Sequence, residues 1–62
     1  MSPDTRALFH RLNNQLGIVL AHAELLESQA TSPGERARAA RVVASTLQAL
    51  QTARELHQQL EG

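Results

Sequence analysis

The 62-residue sequence predicts an all-α fold: an antiparallel two-helix hairpin that dimerises into a four-helix bundle, with residues 1–62 forming a single domain. Three observations carry this reading. Two Ser-Pro signals look like helix starts, the apolar residues between them recur at alternate spacings of three and four, and the chain is too short to close a core by itself.

The first helix is expected over about residues 3–30. Ser2 is placed to cap it and Pro3 to occupy its first position, where a missing N–H costs nothing. Leu, Ala, Gln, Glu and Arg dominate the rest of the segment, all good helix formers, and Gly17 is the one glycine inside it. Phe9, Leu12, Leu16, Val19, Ala23, Leu26 and Ala30 form an unbroken seam with bundle spacing. The second helix is expected over about residues 33–60. Ser32-Pro33-Gly34-Glu35 matches the S-x-x-E capping box, in which the serine accepts from the backbone three residues on and the glutamate reaches back. Its seam is smaller and alanine-rich: Ala39, Val43, Leu50, Ala53 and Leu60, flanked by Ala40, Leu47 and Leu56. A link of a few residues around Ala30 to Ser32 forces the two helices antiparallel.

Leu8, Ile18, Leu20 and Leu25 widen the apolar arc of the first helix beyond what one partner helix covers. A chain of this size also buries only about 60% of the surface its unfolded form exposes, and without cysteine it has no disulfide to compensate. The expected remedy is a second copy of the chain, with the extra apolar flank as the subunit interface.

Composition narrows the function. Six arginines balance six carboxylates, lysine, tyrosine and tryptophan are absent, and the net charge is zero, which argues against nucleic acid or a membrane surface as partner. The longest apolar run, Gly17 to Ala21, is far short of a membrane span, and no signal-peptide pattern opens the chain, so the expected location is cytoplasmic. Absence of cysteine fits that reducing compartment. A chain of this length is expected to supply a binding or relay module rather than a walled catalytic pocket.

The polar residues of the first helix define a second face. His10 projects away from the seam, with Asn14, Gly17 and Ala21 within about 40° of it on a helical wheel. An imidazole beside residues with almost no side chain is a nucleophile that another protein surface can approach closely; the competing reading is an ordinary solvated histidine. The three histidines, His10, His22 and His57, lack the i, i+3 or i, i+4 spacing of a metal site, so no metal and no bound cofactor are expected. Arg36, Arg38 and Arg41 read as a solvated face.

The string Phe9-His10-Arg11-Leu12-Asn13-Asn14-Gln15-Leu16, continuing to Ala23-Glu24-Leu25-Leu26, resembles the H-box of sensor histidine kinases over about 18 residues. Their motif variant reads His-acid-Leu/Phe-Asn-Asn-x-Leu and leads into Ala-Glu-Leu-Leu. For the second helix the resemblance is architectural only. It implies a dimerisation and histidine-phosphotransfer domain of two-component signalling, a four-helix bundle with His10 as phosphoacceptor. Asn14 matches the position that orients water or steadies the phosphoryl group when a response regulator is dephosphorylated. The implied partners are a response-regulator receiver domain and a separate kinase catalytic domain, through which alone magnesium and ATP would enter.

One position departs from the pattern. Where the family places a carboxylate directly after the histidine, this sequence has Arg11, which cannot serve as a base. Arg6 and Arg11 flank His10 and offer charge to the carboxylate cluster of a receiver domain. With no Gly-rich phosphate loop in the sequence, self-phosphorylation by this chain alone is not expected. The alternatives are therefore a phosphohistidine relay or phosphatase partner, and a catalytically degenerate dimerisation scaffold.

Overall fold

The computed structural model describes residues 1–61; Gly62, the last residue of the expected domain, lies outside them. Two helices, α1 (Pro3–Gln29) and α2 (Pro33–Glu61), pack against each other as a hairpin. Each begins where the sequence signals it. Ser2 sits in extended backbone and its Oγ accepts from the Thr5 N–H at 3.1 Å, while Ser32 Oγ accepts from the Glu35 N–H at 3.2 Å. These bonds satisfy N–H groups that the first turn of a helix leaves unpaired. At the other end of α1, Ala30 leaves the helix with ψ 132° and Arg36 reaches back from α2, its Nη2 donating to the Ala30 carbonyl at 3.2 Å. Arg36 is thus a strut of the turn, not merely part of a solvated basic face. No described residue has positive φ, so the short connection closes in ordinary backbone conformations.

The hairpin is long and thin, with principal extents of 46 × 16 × 10 Å. A slab one helix deep covers each helix along a single stripe, which is why the buried set is confined to Phe9, Ala23, Ala39, Thr46 and Ala53. Ala39, Thr46 and Ala53 follow one another at seven-residue intervals down α2, with Val43, Leu50 and His57 half-buried beside them. Thr46 was not legible as a core residue. Its hydroxyl donates to the Val42 carbonyl at 2.7 Å, an i−4 bond that removes the polar cost of burial and leaves only the small methyl-bearing body to pack.

The seam of α1 is corrected by the structure. Phe9, Leu16, Ala23 and Ala30 turn towards α2 as the spacing implies, but the alternate row of the predicted seam, Leu12, Val19 and Leu26, is exposed along the helix, Leu26 at 62%, and beyond mid-helix Leu20 and Glu27 take inner positions. The reason is geometric: a straight helix drifts about 20° per heptad against a 3.5-residue repeat, so a seam read off a strict repeat slides across the contact. Leu20, assigned by the sequence to the outer flank, is half-buried instead. Leu8, Leu12, Ile18, Val19, Leu25 and Leu26 of α1 are left exposed, as are Val42, Leu47, Leu56 and Leu60 of α2. Leu26 and Val42 line one groove of about 470 Å³ together, and Leu8, Leu12 and Val19 share the Leu26 flank of α1. Ile18 and Leu25, which the sequence assigned to the interface flank, instead lie on the face of α1 turned away from α2, and Leu47 lies on the Arg54 flank of α2. No described helix is long and apolar enough to cross a membrane.

Candidate functional site

The opposite side of the hairpin carries His10. Its placement begins with Phe9, whose burial fixes the rotation of α1 near its start. One residue later, about 100° round the helix, His10 emerges at the edge of the interhelical contact and is exposed. Across from it come Leu50, Arg54 and His57 of α2, and these four residues with Asn13 line a groove of about 350 Å³. The antiparallel arrangement makes this meeting possible, since it sets the third turn of α1 beside the last turns of α2.

Asn13 and Asn14, adjacent in sequence, part company here. Asn13 lies about 60° from His10 on the side facing α2, whereas Asn14 lies about 40° from it on the outward side. Asn13 accordingly lines the groove, and Asn14 is exposed outside it. Gly17 and Ala21 continue the outward strip and are exposed, and a Cβ added at Gly17 would meet nothing within 4 Å. This part of the surface is open. Arg11 is exposed on the far side of α1, and His22 is exposed and lines none of the grooves described.

Arg6 is turned towards the end of the hairpin. Its Nη2 lies 3.7 Å from Glu61 Oε1, and the same oxygen lies 3.6 Å from His57 Nε2. Both partners of the arginine pair are substantially solvated, so the pair contributes little to stability. Arg54, by contrast, forms no ion pair among the described residues. Among those residues no group of three histidine or carboxylate side chains is arranged to hold a metal ion.

No family model, curated protein or solved structure matches this chain. The site is therefore read from its own residues. The exposure of His10 was legible in the sequence, but not its place at the edge of the contact with α2. Sequence reasoning missed Arg54 and Asn13, because a helical wheel of α2 does not say which of its flanks meets which flank of α1.

Proposed function

We propose that the chain is a dimerisation and histidine-phosphotransfer module of two-component signalling, working in the cytoplasm, with His10 as the residue that accepts the phosphoryl group. The observation that carries the reading is the exposed His10 within its H-box-like string, beside the open strip of Asn14, Gly17 and Ala21. In the proposed reaction a ring nitrogen of neutral His10 attacks phosphorus in the acyl phosphate of a receiver domain. The N–P bond forms as the P–O bond breaks, the electron pair leaves on the receiver carboxylate, and the other ring nitrogen gives its proton to water. Asn14, on the outward side of His10, would orient water when the receiver's phosphate is hydrolysed instead of transferred, and Arg11 would lend charge to the approach of an acidic partner, Arg6 being engaged by Glu61.

A second copy of the chain is the proposed occupant of the apolar side. The accessible surface is 4878 Å², roughly 900 Å² more than a compact monomer of this mass exposes. A standard interface buries about 800 Å² per partner, so one self-association accounts for the excess. Because that side lies opposite the groove, the dimer leaves His10 open.

Arg11 favours a second reading, a scaffold that keeps the dimer and its docking face without phosphotransfer, since the position lacks the carboxylate that assists proton removal. The deciding experiment incubates the purified protein with phosphorylated receiver domains, and separately with a kinase catalytic domain and ATP, then measures intact mass at neutral pH. A gain of one phosphoryl group that is lost in acid, and lost in His10→Gln, supports the relay. No gain and no receiver dephosphorylation, with dimer mass retained, supports the scaffold.

A further inference from the structure

We propose that the groove between His10 and α2 binds a phosphoryl oxyanion, with the Arg54 guanidinium as its charged donor and the Asn13 carboxamide as its neutral one. This deepens the reading of His10 as a phosphoacceptor and rests on it for the biological source of the anion. It assigns a role in holding that group to the second helix, where the H-box resemblance is silent.

Four features of the groove lead to this assignment. Its polar lining consists of His10, Asn13, Arg54 and His57, so no carboxylate faces the space, whereas the groove at the loop end of the hairpin includes Glu35. Arg54 has no acidic partner among the described residues and keeps its planar fork of donors free for a tetrahedral anion, the geometry for which guanidinium is suited. Glu61, whose carboxylate contacts His57 at the wall of the groove, is also engaged by Arg6. Its charge is partly offset on the spot, and His57, held edge-on by Phe9, serves as a wall. At about 350 Å³ the open space is ample for a phosphate with its remaining waters, a water occupying about 30 Å³ in the liquid. A phosphoryl group carried on the His10 ring and a free phosphate present the same oxygens to Arg54.

The test uses inorganic phosphate and the full chain, followed by NMR of the histidine ring and arginine side-chain signals. The expected result is a saturable shift of the His10 and Arg54 signals together, with His22 as the unmoved control. Arg54→Gln should weaken the binding about tenfold, the loss of one charge-assisted hydrogen bond, and Arg54→Lys by less because charge remains while the fork is lost. A second arm phosphorylates the histidines chemically with phosphoramidate. The phosphoryl group on His10 should outlast that on His22, and Arg54→Gln should abolish the difference. Arg54 is exposed, so its variants should keep the helicity of the parent. Non-saturable shifts, equal shifts at His22, or indifference to Arg54→Gln in both arms would overturn the inference. Phosphotransfer from a receiver without anion binding sinks the groove and leaves the relay standing; anion binding without phosphotransfer from any receiver does the reverse.

Discussion

The ring of Phe9 meets the ring of His57 edge-on, with centroids 5.2 Å apart and planes at 90°. An aromatic edge directed at a ring face is a favourable arrangement of the two quadrupoles. Because Phe9 is the chain's sole aromatic residue of the Phe, Trp and Tyr class and is buried, this contact ties the start of α1 to the end of α2 and sets the rotation that presents His10.

Phe9→Ala should therefore lower stability by about 3 kcal/mol, the ordinary cost of deleting a buried phenyl group. Phe9→Leu, which keeps most of the apolar volume, should cost less than about 1.5 kcal/mol. Urea unfolding followed by circular dichroism at fixed protein concentration measures both. A loss under about 1 kcal/mol for alanine would mean that the open end of the hairpin is held by something other than this ring.

Thr46→Val should be neutral or stabilising, by up to about 1 kcal/mol, even though it deletes a hydrogen bond. The hydroxyl bonds only to the Val42 carbonyl, which the α2 ladder serves in any case, and valine fills nearly the same space with a methyl group. Thermal melting of the variant decides the point. A clear loss of stability would show that the hydroxyl has a further partner in the assembled protein.

Gly17→Ala should stabilise the chain by about 0.5–1 kcal/mol, because glycine inside a helix is entropically costly and the new Cβ has open space around it. If a receiver domain docks across the Asn14–Ala21 strip, the same substitution should weaken docking while melting rises. Binding and melting measured on one preparation separate the two effects. Unchanged docking would move the contact elsewhere on α1.

If a second copy covers the apolar side as proposed, Leu26→Glu should convert the dimer to a monomer, since Leu26 stands exposed beside Val42 there. Light scattering reads the mass directly. A dimer that survives this charge would place the interface away from that side. A monomer that still accepts phosphate at the groove would establish that the two faces work independently.

Much of the hairpin was legible in particular residues. Ser2 and Ser32 marked the helix starts because a cap is a local interaction, complete within three residues. Phe9 and Ala23 were identifiable as inward-facing because helical periodicity holds over a few turns from any anchor. The exchange of Val19 and Leu26 for Leu20 and Glu27 was not, since the small drift per heptad accumulates and only the position of the opposing helix reveals it.

The candidate site divides in the same way. His10, Asn14 and Gly17 share a face by virtue of their spacing on one helix, and the sequence by itself determined that they would. Its two caps, its short link and its three-four apolar spacing likewise determined two helices turned back to back. Which residues of α2 confront His10 was settled only by tertiary structure. Arg54 is 44 positions away from His10 in the sequence, and its approach depends on the rotation of both helices about their axes. That rotation is fixed by Phe9 against His57 and by the Ala39, Thr46 and Ala53 stripe packing beneath α1, contacts between residues that share no local pattern.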